Sequence, residues 1–308
     1  MLEGDGQIRK RKRGAAGSLG IEVLKGLGQA GFDVRVLSPK AGKVPAAYAN
    51  QVKEVVVKYD DPASLKSALD GVDAVVSTLG APAVGGPQRA LIDAAVSAGV
   101  QRFIPSNFGC DQQNPLTRQL PVFAEKVKTE DYLTEKAESS SLSYTYVYNN
   151  LFLDWGFTHG TLANIKDRRV VLYNGGDLAV SVTRLATVAK GVVGVLKNPD
   201  ATRNRSVRID DGKISFKQIA AIAKDALPGQ WTITEADTDA LKETSDQALK
   251  AGTVEGWVWL NYILQGGTNA KYGPAFDNID NDQLGLARLS DGELQALVKD
   301  LITQTVRE

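Results

Sequence analysis

Three evenly spaced glycines in Gly14-Ala15-Ala16-Gly17-Ser18-Leu19-Gly20 are the first residues whose types suggest chemistry. The pattern G-x-x-G-x-x-G opens a stretch in which Leu19, Val23 and Leu27 recur every four residues, as on one helix face. One glycine permits a tight turn, another lets the backbone approach a pyrophosphate, and the third allows close packing of helix on strand. The helix N-terminus then offers free N–H groups and a positive dipole to the phosphates. Gly14, Gly17, Ser18, Leu19 and Gly20 are therefore candidate cofactor contacts. A binder of NAD carries an acid about 20 residues further on, for the ribose 2′-hydroxyl. The corresponding Val36-Leu37-Ser38-Pro39-Lys40 has no carboxylate. Ser38 and Lys40, with Lys43 nearby, suit a 2′-phosphate, which points to NADP(H). A solvated loop accounts for the lysines almost equally well.

Other side chains compete for attention. Tyr132-Leu133-Thr134-Glu135-Lys136 fits Y-x-x-x-K, the pair used by ordinary short-chain dehydrogenases. His159 could serve as a general acid near a cleft rim, although an isolated histidine is more often structural or exposed. Cys110 reads as a small buried residue rather than a nucleophile. Trp257 and Trp259 could stack on an aromatic substrate, but core packing is the commoner use. With one cysteine and one histidine in the chain, no metal site with nitrogen and sulfur ligands is expected, and no internal disulfide can form.

The elements that must position these residues follow from periodicity. Val34 to Leu37, Val52 to Val57, Ala74 to Ser77, Arg102 to Pro105 and Tyr144 to Tyr148 read as strands. Ser64 to Leu69 and Gln88 to Ala98 read as crossover helices, and Gly31 as the stop of the first helix. Alternating strand and helix implies a parallel sheet covered on both faces. Beyond residue 151 the rhythm loosens. Val170 to Tyr173 and Ser206 to Ile209 look like strands. Thr183 to Leu196, Ser215 to Ala226 and Asp291 to Val306 look like helices. An aromatic, Gly-rich segment surrounds Trp257 to Gly267. The expected fold is α/β: a Rossmann-type parallel sheet over residues 1–150, receiving later segments near 180–200, and a smaller α/β substrate (cap) domain over 151–308.

Lys+Arg and Asp+Glu balance at 36 each, so no global field favours nucleic acid or a membrane surface. No apolar run approaches the length of a membrane span, and no apolar core suggests a signal peptide. A soluble cytoplasmic protein is expected. One segment conflicts with the fold. The strand ahead of the glycine turn should be buried on both faces, yet Gln7 to Arg13 carries five consecutive cations. Burying them in a sheet centre would cost more than the fold could recover. An absent or displaced first strand, an unnatural N-terminus, or a nuclear-import signal each accounts for the run.

Gln101-Arg-Phe-Ile-Pro-Ser-Asn-Phe-Gly109, Phe123-Ala-Glu-Lys126-Val-Lys128 and Tyr144-Thr-Tyr-Val-Tyr-Asn-Asn-Leu-Phe152 form a distinctive series. With the glycine turn and Ser77-Thr-Leu-Gly80, the chain resembles the NmrA-like and isoflavone reductase-like family of atypical short-chain dehydrogenases. The resemblance implies that Ser38, Thr78, Leu79, Gly80, Ser106, Asn107, Phe108, Asn150 and Phe152 line the cofactor site. It also implies that Lys126 is the catalytic lysine beside the nicotinamide. Lys126 lies two helical turns before Leu133, on one face. Tyr132 lies about 120° round the same helix, so only one of the two can face the cofactor.

The family pattern departs in two places: the apolar first strand is missing, and the usual arginine after the second strand is Pro39, beside Lys40. The function implied is NADPH-dependent reduction of a small aromatic or carbonyl-bearing metabolite. The alternatives are a non-catalytic NAD(P)-sensing co-regulator, with a regulatory protein partner, and a chain whose cofactor site is defective because of its N-terminus.

Overall fold

The computed structural model describes residues 17–80 and 83–307. Gly14 and the basic run Arg9 to Arg13 lie outside the described residues. Helix α1 (Ser18–Gln29) begins at Gly17 and buries Val23, Leu24 and Leu27. It ends as the sequence predicts. Gly31 takes a left-handed φ of 82°, the Phe32 amide donates to Leu27 and the Gly31 amide to Gly28. Only a residue without Cβ holds that conformation cheaply.

Strands β1 (Val34–Ser38) and β2 (Val52–Val56) pair in parallel, Val34 opposite Val52. Helix α2 (Pro62–Ala68), capped by the Asp61 carboxylate, leads to β3 (Ala74–Val76). Helix α3 (Gly86–Ala98) leads to β4 (Arg102–Ile104). The short α4 (Pro115–Arg118) and the long α5 (Ala124–Glu138) precede β5 (Ser143–Tyr148). Strands β3, β4 and β5 form a parallel sheet that β9 (Arg205–Arg208) extends. Period-two alternation divides their side chains. Phe103, Tyr146 and Tyr148 enter a core with Leu65, Leu91 and Leu133 of α2, α3 and α5. Ile104, Val147 and Val207 enter the opposite core with α1 and α7 (Leu185–Lys197). This is the α/β fold expected, with helices on both faces of a parallel sheet. Among the described residues, β1 pairs only with β2, and β3 only with β4.

The second half adds β6 (Leu151–Phe152), α6 (Leu153–Thr158), β7 (Arg169–Tyr173) and β8 (Val180–Thr183). It continues with β10 (Gly212–Ile214), α8 (Phe216–Ala226), β11 (Thr232–Ala236), α9 (Thr238–Lys250), α10 (Gly256–Thr268) and α11 (Asp291–Arg307). Strand β8 lies between β10 and β6, while β11 pairs with β7.

One expectation needs correction. The helix read over Thr183 to Leu196 starts only at Leu185. The β-branched Val180, Val182 and Thr183 form β8, because they find partners in β10 and β6. The aromatic segment, which the sequence assigns to no element, is helix α10. Val258, Tyr262 and Leu264 bury one of its faces, leaving Trp257 on the outside. Among the described residues no helix is long and apolar enough to cross a membrane.

Candidate functional site

The carboxyl ends of β1, β3, β4 and β5 and the N-terminus of α1 carry the residues expected to act. Gly17 caps α1, with open space around the position a Cβ would take, and no acid stands in the first turn. Gly17 and Gly20 share one cleft with Ser77, Thr78, Leu79 and Gly80. A helix N-terminus with a favourable dipole and no carboxylate in its first turn suits an anionic group. Ser18 and Leu19 form the first turn itself. Among the described residues the buried Ser77 hydroxyl has no hydrogen-bond partner.

After β4, Ser106 donates its hydroxyl to the Leu79 carbonyl at 2.7 Å and its amide to Gln88 Oε1 at 2.8 Å. Gln88, fully buried on α3, thus ties that helix to the loop. Asn107 donates to Glu130 Oε1 at 2.7 Å, while its own buried Oδ1 has no partner among the described residues. The Phe108 ring enters the sheet core, and its carbonyl accepts the Lys126 ammonium at 2.6 Å. Gly109, at φ 117°, turns the chain past this point, and its carbonyl accepts the amides of Asn149 and Asn150.

Lys126 therefore sits between the ends of β4 and β5, carried by α5. Burial of the ammonium pulls its pKa down to about 8, with Cys110 and Glu130 opposing the fall. Glu130, one turn further along α5, accepts Tyr148 Oη at 2.5 Å and Arg118 at 3.0 Å besides Asn107. Burial raises its pKa, against the pull of these donors. Nothing in the sequence singled out Glu130 or Gln88; each is an ordinary polar residue until the fold closes over it. Cys110 is buried, and burial pushes its thiol up to about 12, so it is not a ready nucleophile.

The other expected residues fall less tightly together. Ser38 is buried and donates to the Lys40 carbonyl at 2.6 Å, and Lys40 is exposed. The loop beyond is held by Glu54, whose carboxylate takes the amides of Gly42 and Lys43 at 2.9 and 2.7 Å. Those amide bonds hold the Glu54 pKa below its ordinary value. Asn150 stands at φ 48°, and its amide donates to the carbonyls of Ser181, Gly267 and Pro274. It fastens three segments of the second half to the end of β5. Phe152 is half-buried against the core beside α1 and α7. Tyr132 points elsewhere: its hydroxyl bonds Asp93 of α3, and Lys136 pairs with the same carboxylate at 3.1 Å. His159 stacks on Trp155, with ring centroids 4.1 Å apart. Among the described residues no cluster of three or more His, Cys, Asp or Glu side chains could hold a metal.

The profile of the NmrA-like family matches residues 13–250. The chain belongs to the NmrA-like family. The oxidoreductase poxI of Penicillium oxalicum is 26% identical over 300 residues, 93% of this chain and 92% of that protein. The phenylcoumaran benzylic ether reductase PT1 of Pinus taeda is 26% identical over 283 residues, 85% and 89% of the two chains. Among solved structures, the binary complex of leucoanthocyanidin reductase with NADPH from Vitis vinifera superposes with a TM-score of 0.73. It covers 96% of this chain and 98% of that one at 16% identity, a likeness of fold.

Proposed function

We propose that this NmrA-like protein is an NADPH-dependent reductase of a small aromatic or carbonyl-bearing metabolite, with Lys126 as its catalytic residue. The carrying observation is the Lys126 ammonium, desolvated at the sheet's carboxyl edge and held by the Phe108 carbonyl. The related oxidoreductase and ether reductase, and the NADPH complex of like fold, support the reading. In it, residues 1–150 together with α7 and β9 form the nucleotide half, and the rest of residues 151–308 closes over the sheet edge.

The residues present fit a dinucleotide. The N-terminus of α1, with open space at Gly17, suits a pyrophosphate, and among the described residues the Ser77 hydroxyl and Asn107 Oδ1 are buried polar atoms without partners. Thr78 to Gly80 and Ser106 to Phe108 would flank the nucleotide, while Ser38 and Lys40 would meet the 2′-phosphate. The nicotinamide, when bound, supplies the hydride. The chain supplies the proton. An ammonium with a pKa of about 8 is largely charged at neutral pH, yet gives up its proton more readily than an ordinary lysine. One N–H is spent on Phe108, leaving two for a ribose hydroxyl or a substrate oxygen.

Titration with NADPH and with NADH, followed by nicotinamide and tryptophan fluorescence, tests the reading. NADPH should bind more tightly than NADH. Tight binding without turnover of any aromatic or carbonyl acceptor would leave a nucleotide sensor. A second reading rests on the five consecutive cations Arg9 to Arg13 ahead of the glycine turn, where a buried strand is expected: the site is incomplete in this chain, and neither nucleotide binds.

A further inference from the structure

The connection from β3 to α3 has few side chains with which to hold itself. From Gly80 to Pro87 its sequence is Gly-Ala-Pro-Ala-Val-Gly-Gly-Pro, with no polar side chain. Yet Thr78, Leu79 and Gly80, where it begins, line the cleft shared with Gly17 and Gly20. Glycines give a backbone no preferred course of its own, so neighbours must supply one. They do so at two carbonyls. The Leu79 carbonyl accepts the Ser106 hydroxyl at 2.7 Å. The Val84 carbonyl accepts Thr129 Oγ1 of α5 at 3.0 Å and Gln88 Nε2 of α3 at 3.3 Å. Gly85 lies against the Glu125 carboxylate, where a Cβ would come within 2.5 Å of Oε2. The connection is thus pressed on the first turn of α5, the turn that carries Lys126.

Gln88 joins this segment to the next one. Its Nε2 donates to Val84, while its Oε1 accepts the Ser106 amide at 2.8 Å. Ser106 opens the stretch whose Phe108 carbonyl holds Lys126. One fully buried side chain therefore bonds the backbone of both segments. The two bonds also fix the amide's orientation, since turning it over would set donor against donor and acceptor against acceptor. Packing alone would favour an apolar residue here. Leu91, Ile92, Ala94 and Ala95 of the same helix enter the core, and burying an amide has a cost that an aliphatic side chain avoids. What glutamine adds is one donor and one acceptor, each met by a different segment.

We infer that Gln88 is a positioning residue for the nucleotide: it sets the spacing between the Thr78 to Gly80 wall and the Ser106 to Phe108 wall, so that a nucleotide held by the first meets Lys126 beside the second. The inference rests on the nucleotide reading above and adds to it a residue that acts through its neighbours.

The test follows NADPH binding to the full chain by fluorescence against pH, for the wild type, Gln88→Met and Gln88→Glu. Each variant is compared with the wild type at the same pH, so that titration of the cofactor and of Lys126 cancels. Methionine keeps the length and loses both bonds. A protonated glutamic acid reproduces glutamine's pattern, its hydroxyl donating to Val84 and its carbonyl accepting from Ser106. Once ionised it can only accept, and it sets a charge against the Val84 carbonyl. Gln88→Met should weaken NADPH about tenfold or more at every pH, and speed exchange of the Ser106 amide by a similar factor. Gln88→Glu should bind like the wild type near about pH 6 and lose about tenfold or more by about pH 10, with circular dichroism unchanged. A packing role does not predict restoration by a proton, and this variant decides alone if Gln88→Met does not fold.

The inference fails if folded Gln88→Met binds NADPH within about twofold of the wild type. It fails equally if Gln88→Glu is weak at every pH, or binds like the wild type even near about pH 10. A wild type that does not bind NADPH would refute the nucleotide reading and this inference with it. Unaffected variants of a wild type that does bind would refute the inference alone.

Discussion

The pKa of Lys126 can be read directly, without knowing the substrate. Burial holds the ammonium at about 8, against an ordinary 10.5. By simple titration the side chain is then about nine-tenths charged at pH 7 and about one-hundredth charged at pH 10. A surface lysine is still about three-quarters charged at pH 10. If the ammonium gives the proton, turnover should fall roughly a hundredfold between pH 7 and pH 10, where a solvated lysine predicts almost no change. The assay is a pH titration of protein labelled with ¹³C at lysine Cε, followed by NMR. The resonance missing from Lys126→Arg is that of Lys126, and its midpoint should fall near 8. A midpoint in the ordinary lysine range would refute the argument from burial, and with it the role assigned here. Stability carries the same signature. Between pH 8 and 10.5 the unfolded chain holds more protons at this residue than the folded one does. Stability therefore rises with pH across that window; the penalty is full below pH 8 and gone above 10.5.

Three further outcomes follow from neighbouring contacts. Glu130→Gln removes the carboxylate that favours the charged lysine, so the Lys126 midpoint should move below 8; loosening the bonds to Tyr148, Asn107 and Arg118 should cost about 1–3 kcal/mol in urea unfolding. Tyr132→Phe should leave turnover and the Kd for NADPH within about twofold, because the phenol serves Asp93 on α3; a loss of a hundredfold or more would reinstate the Y-x-x-x-K pair. Gly194→Ala places a methyl group against the Leu284 carbonyl and should destabilise the protein by about 1–3 kcal/mol in urea, since backbone cannot swing aside as a side chain can.

Much of the first half was legible because its signals are local. Short β-branched runs separated by helical stretches gave β1 to β5 within a residue or two, and Gly31 gave the end of α1. The second half hid its elements where long-range pairing decides. Thr183 reads as the start of a helix until β10 and β6 lie beside Val180 to Thr183. Strand β11 has a β-branched run too short to stand out, Thr232 to Thr234, and pairs in parallel with β7.

The site shows the same division in sharper form. Tyr132 and Lys126 stand on one helix, and sequence spacing says only that they cannot both face inward. The fold decides between them through α3. That helix packs beside α5 and presents Asp93 to Tyr132 and Lys136, drawing the pair to the exposed side. The same helix buries Gln88, which fixes the Ser106 loop. Lys126 then meets the Phe108 carbonyl at the closed edge of the sheet, where the missing solvent, and not any neighbouring charge, lowers its pKa. Desolvation is a property of the closed fold, so no reading of spacing alone could assign it. Asn150 makes the complementary point. A residue expected to touch cofactor spends its amide on Ser181, Gly267 and Pro274. Its part in any chemistry is then to hold the second half against the end of β5.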